Sequence, residues 1–306
     1  MPHVHWPSLS FAAWKDTCET LHMWTQVVGK IRLALEPRVN HSWHVPLYVS
    51  VRGLTTGAMP IATQGRRIEL EFDFFDHALA IRTSDGRRDA LPLPGQTVQS
   101  FYHEVMARLA RLDVAVRIWP VPVEVATATP FDEDLRGTYD AEYARRFWHV
   151  LIRTDEALRR FRAPFIGKAS PVHFFWGSFD LAVTRFSGRT APPHPGGVPH
   201  LADWVVREAY SHEVSSCGFW PGNADVDALF YAYTYPEPDG FSTFPLGVDG
   251  ASYHPTLHEF VLPYERVHAA GDPDALVGRF LERTYEAAAT HAGWDRSALE
   301  TDFTRT

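Results

Sequence analysis

Residues 170–189 read SPVHFFWGSFDLAVTRFSGR, and residues 207–222 read REAYSHEVSSCGFWPG. Both runs are rich in Phe, Trp and Val, and both carry histidine, carboxylate, arginine and small hydroxyl side chains inside the apolar pattern. Residues 171–186 read as a strand bent at Gly177, and residues 207–216 as a second strand. Polar side chains buried in such strands cost several kcal/mol unless they are paired. Their density predicts a lined pocket rather than a plain core. Between the runs, SGRTAPPHPGGV (residues 187–198) has the Pro/Gly composition of a surface loop.

Working outward, residues 11–36 predict a helix. Trp14, Leu21, Trp24, Val28, Ile31 and Leu35 share one face, and Pro37 ends it. Residues 44–54 predict a strand. Residues 67–74 alternate Ile68, Leu70, Phe72 and Phe74 inward with Glu69, Glu71 and Asp73 outward, and residues 78–83 complete a hairpin. Residues 97–112 predict an amphipathic helix. Residues 114–125 read as an edge strand because Pro120 and Pro122 interrupt them. Residues 139–161 predict a helix capped by Thr138. Residues 228–235 and 259–263 predict strands, and 275–290 a closing helix.

The result is an α+β fold, in which largely antiparallel sheet packs against the helices at 11–36, 97–112, 139–161 and 275–290. The chain reads as one compact unit over residues 1–306, with two similar halves, 11–125 and 139–291, joined by a polar connector at 126–138. A gapless match of residues 41–55 with 173–187 places His41 on His173 and Val51 on Val183. An internal duplication would make those positions superpose.

The bulk numbers narrow the function classes. A net charge of −8 and the absence of any Lys/Arg run argue against nucleic-acid binding. No stretch approaches ~18 uninterrupted apolar residues, so no membrane span is expected. Two cysteines, Cys18 and Cys217, provide no disulfide framework, and the N-terminus has no secretory pattern, which together suggest a cytoplasmic protein. Ten Trp, eleven Tyr and twenty Phe favour thick packing and aromatic-walled clefts.

No phosphate loop, dinucleotide fingerprint, Cys-x-x-Cys, His-Glu-x-x-His or Gly-x-Ser-x-Gly is present. The chemistry-bearing candidates are histidines. His41, His44, His173 and His212, with Asp180, Glu208 or Glu213, have the composition of a two-His-one-carboxylate iron site or a three-His zinc site. The same residues allow metal-free work: His212 as a general base oriented by Glu208 or Glu213. Arg185 has the fork to hold a carboxylate or phosphate, or to form a buried salt bridge. Tyr231, Tyr233 and Tyr235 line one strand face, and with Trp176 they make an aromatic wall for a small molecule.

These blocks resemble a bacterial family known only as a domain of unknown function. The resemblance rests on MWTQVVGKIRL (residues 23–33), HVPLYVSVRGLTT (44–56), SPVHFFWGSFDLAVTRFSGR (170–189), EAYSHEVSSCGFWPG (208–222) and YAYTYPEP (231–238). It implies one full-length unit and no particular reaction. The residues themselves point to an enzyme acting on a small polar or anionic molecule, with a divalent metal (iron or zinc) as an optional cofactor. The alternatives are a non-catalytic small-molecule binder with an aromatic cleft, and an interaction protein that uses the loop at 191–197.

Overall fold

The computed structural model describes residues 6–61 and 65–301. Helix α1 (Phe11–Leu35) buries Trp14, Leu21, Trp24, Val28 and Ile31 as the spacing requires, and Glu36 turns extended ahead of Pro37. A short 3-10 turn, Asn40–Ser42, follows. The expected strand over 44–54 is split into β1 (Tyr48–Val49) and β2 (Gly53–Thr55), which pair antiparallel. The Ser50 hydroxyl accepts the Arg52 and Gly53 amides (3.2 and 2.9 Å), and so closes a turn in mid-run.

Strands β3 (Met59–Ile61), β4 (Arg66–Asp73), β5 (Ala78–Thr83) and β6 (Arg88–Pro92) complete an antiparallel sheet ordered β1-β2-β4-β5-β6, with β3 also paired to β4. Glu71 and Asp73, expected to face solvent, are buried. Glu71 accepts from Ser50 and Arg82, and Asp73 pairs with Arg52. Helix α2 (Val98–Arg111) starts with a Thr97–Ser100 capping box. Residues 114–125 join no sheet. Pro120 and Pro122 lack the donors a ladder needs, and the Gln26 side chain takes over both backbone groups of Val123 at 2.8 Å each. Residues 126–138 are tied to α2 by Val98 N–H to Arg136 O and Gln99 N–H to Asp134 O.

Helix α3 (Ala141–Arg162) is capped by Asp140 rather than Thr138. The single bent strand expected at 171–186 is a hairpin of β7 (His173–Phe175) and β8 (Asp180–Thr190). Its turn is closed by Phe179 N–H to Phe175 O (2.7 Å), with Phe179 at φ 64°. Residues 207–216 also differ from expectation. Helix α4 (Asp203–Ala209), with an Asp203–Arg207 pair one turn apart, takes the first part, and β9 (His212–Gly222) begins only afterwards. Strands β10 (Asp227–Tyr235), β11 (Ser252–His254) and β12 (Glu259–Pro263) follow, then α5 (Tyr264–His268), α6 (Pro273–His291) and α7 (Arg296–Leu299).

The second sheet is antiparallel in the order β7-β8-β9-β10-β12-β11. Reciprocal 2.9 Å hydrogen bonds between Leu47 and Phe174 join its β7 edge to the β1 edge of the first sheet. One apolar core runs from Trp6 to Trp294. The face of the second sheet that carries Leu181, Val183, Cys217, Phe219 and Phe230 is buried, and α3, α5 and α6 pack on this sheet. The match of residues 41–55 with 173–187 is not reproduced: His41 sits in the 3-10 turn at φ 57°, whereas His173 opens a strand.

Candidate functional site

The register of the second sheet decides which polar groups meet. Thr184 lies opposite Ser216, Ser216 opposite Tyr233, Gly218 opposite Tyr231, and Ala182 opposite Gly218. Successive residues alternate faces, so Asp180, Thr184, Phe186, Ser216, Tyr231, Tyr233, Tyr235 and Glu259 share the face away from α3, α5 and α6. A Cβ at Gly218 would stand 2.7 Å from the Tyr231 hydroxyl, so glycine lets that ring lie flat across the sheet. Tyr231 and Tyr233 stack at 6.2 Å.

Hydrogen bonds knit this face. Tyr231 donates to Asp180 Oδ2, and Ser178 donates to Asp180 Oδ1 at 2.5 Å. Thr184 and Ser216 hydroxyls meet at 2.9 Å, as do those of Tyr210 and Tyr233. Tyr210 comes from the end of α4, and His194 from the Pro/Gly loop stacks on it at 4.7 Å. Glu124 enters from the irregular 114–125 segment at φ 58°, with its N–H on Pro199 O (3.0 Å). Its carboxyl overlies Gly177, where a Cβ would collide with it.

Three carboxyls thus converge from three elements. Burial lifts Glu124 and Glu259 to about 7, and the Asp180 charge pushes both the same way. Burial also raises Asp180, against the opposing hydrogen bonds from Ser178 and Tyr231. Tyr210 is driven to about 12, first by burial and then by Glu259, Asp180 and Glu124 together. Among the described residues, no side chain forms a hydrogen bond or ion pair with the carboxyls of Glu124 and Glu259. Sequence reasoning missed both: one sits in a segment with no periodicity, the other at a strand start with no motif around it.

The histidines assemble only in part. The His41 and His212 rings lie 6.2 Å apart, and Trp43 touches both His41 (5.3 Å) and His173 (5.9 Å). His44 instead accepts the Val39 amide at 3.2 Å and braces its own turn. His173 is fully buried among Trp43, Tyr48 and Phe175, and among the described residues neither ring nitrogen has a hydrogen-bond partner. Burial, followed by the Arg32 and Arg162 charges, lowers its pKa to about 3. Among the described residues, no three His, Cys, Asp or Glu side chains are grouped to hold a metal ion, the quartet His41, His44, His173 and His212 included.

Other candidates lie away from the phenol face. Arg185 points to the helix side of β8. It is sandwiched between Phe161 (3.5 Å) and Tyr285 (4.2 Å), donates to Phe161 O, and is sealed from any ligand on the opposite face. Glu208 pairs with Arg38 (3.0 Å) and Glu213 with Arg189 (2.6 Å), so neither orients His212, whose Nδ1 meets Ser211 Oγ at 3.0 Å. Trp176 is a wedge: its ring fills the space above Gly29, and its N–H donates to Val45 O at 2.9 Å. Tyr231 and Tyr233 are on the face as expected. A separate surface hollow of about 390 Å³ beside β11 and β12 has one charged lining residue, Asp249, which is paired with Arg266.

The fold and this face define a two-sheet α+β protein with a carboxyl- and phenol-lined sheet surface. The chain belongs to the family of unknown function DUF5996, whose family model matches residues 6–301. No curated protein and no solved structure matches it. Among the described residues no helix is long and apolar enough to cross a membrane.

Proposed function

We propose that the protein is an enzyme acting on a small polar molecule bound against the phenol face of the second sheet. Its reacting groups are carboxyls rather than imidazoles. The observation that carries this reading is the pair Glu124 and Glu259, two carboxyls without a hydrogen-bond or ion-pair partner among the described residues and raised to about 7 beside the buried Asp180. A carboxyl titrating near neutrality serves as either general acid or general base, which requires it to be neither fully ionised nor fully protonated at working pH. Tyr231 and Tyr233 supply the stacking wall, and the Thr184 and Ser216 hydroxyls supply orienting hydrogen bonds. Asp180, already accepting from Ser178 and Tyr231, holds its neighbours in place and raises the two glutamates.

A non-catalytic binder is the second reading. It is favoured by how fully Asp180 is satisfied, as suits a recognition group. A thermal-shift screen of small polar compounds, followed by mass detection of turnover, separates the two. Hits should lose their stabilising effect in Tyr233→Phe and keep it in Glu124→Gln. Turnover that vanishes in Glu124→Gln while binding persists supports the enzyme, and binding without turnover supports the binder. Hits that stabilise both variants as well as the parent would remove the site altogether.

A further inference from the structure

The geometry points to an oxyanion subsite at the other end of the same sheet face, formed by Lys168 and His212 and positioned by His41. Lys168 Nζ lies 2.6 Å from His41 Nε2. An ammonium can only donate, so Nε2 accepts and His41 is neutral, with its proton on Nδ1. Lys168 keeps two further N–H donors. Its head group lies over Phe186 (4.6 Å) and Trp43 (5.3 Å), and among the described residues no carboxylate pairs with it.

His212 brings a second imidazole to the same corner, 6.2 Å from His41, with Nδ1 turned to Ser211. The nearby Glu208 is occupied by Arg38. A cation with spare donors and no paired carboxylate among the described residues, an adjacent imidazole and an aromatic wall form a corner whose electrostatics favour a bound anion. The backbone around it is held in an uncommon shape: His41 and Ser42 both have positive φ (57° and 55°) just ahead of Trp43, whose ring lies against His41 (5.3 Å) and Phe186 (5.9 Å).

Phe186, in the wall of this corner, is six residues along β8 from Asp180, so the two ends are about 20 Å apart at strand spacing. The subsite therefore stands whether or not the carboxyl end is catalytic. Its ligand is a small molecule bearing a phosphoryl or carboxylate group.

Calorimetric titration of the full-length protein with inorganic phosphate, and separately with acetate at matched ionic strength, tests this. Saturable binding in the range up to about 10 mM is expected. It should weaken roughly tenfold or more in Lys168→Met and in His212→Gln, and survive in Lys168→Arg and Glu124→Gln. Lys168 is exposed, so unchanged melting of Lys168→Met confirms an intact fold. Preference for phosphate identifies a phosphoryl ligand, and equal or better binding of acetate identifies a carboxylate. Absence of saturable binding by both ions overturns the proposal. So does binding indifferent to Lys168→Met, or binding lost in Glu124→Gln, which would place the ion at the carboxyl end.

Discussion

Replacing Glu124 by glutamine removes one titrating carboxyl while keeping its shape, and the effect on stability has a definite sign. The folded pKa of about 7 lies above the ordinary 4.5 because burial, then the Asp180 charge, disfavours the carboxylate. The folded state therefore holds a proton that the unfolded chain has released. The stability this lends is complete below about 4.5 and is lost as the pH rises through about 7. A separation of roughly 2.5 units corresponds to about 3 kcal/mol. His22 and His173 work in the opposite direction, with folded values lowered to about 4 and about 3, so their contribution is present above 6.5 and lost toward acid. The parent profile is a balance of these slopes, and the difference between parent and Glu124→Gln isolates the glutamate. Urea unfolding at intervals from pH 4.5 to 8.5 measures it. The parent should lose about 3 kcal/mol more than the variant across that range. Parallel profiles would show that Glu124 titrates normally, and would refute the burial argument together with its acid–base role.

His173→Leu should narrow the loss of stability between pH 7 and pH 4.5 by about 2.5 kcal/mol, because no neutral imidazole then needs to stay unprotonated in the core. An unchanged gap, read from denaturant melts at the two pH values, would reveal a hidden partner for its nitrogens. Arg185→Ala should cost about 3 kcal/mol through lost packing and stacking on Phe161 and Tyr285, with no effect on ligands bound at the phenol face. Wild-type melting combined with lost binding would return Arg185 to the role of ligand anchor.

Local patterns made much of the fold legible. The helical spacing of Trp14, Leu21, Trp24 and Val28 located α1, and the alternation of Ile68, Leu70 and Phe72 located β4, because burial of one face dictates both periods. Turns inside apolar runs were not legible. The break at residues 50–53 depends on the Ser50 hydroxyl, and the turn at 176–179 on Phe179 adopting a positive φ, and neither changes the hydrophobic pattern. Residues 207–209, expected to open a strand, instead close helix α4, which moved Glu208 off the sheet and next to Arg38.

By itself, the chain determined that polar and aromatic side chains would alternate on the second sheet and that Tyr231 and Tyr233 would share a face, since a pleated strand leaves no other choice. Tertiary structure alone decided what faces them. Glu124 arrives because Gln26, nearly a hundred residues earlier, takes over the backbone of Val123, and Glu259 arrives through the pairing of β12 with β10. Burial then sets the charge of both carboxyls, and burial depends on the surrounding fold, so no local run of residues contains that information.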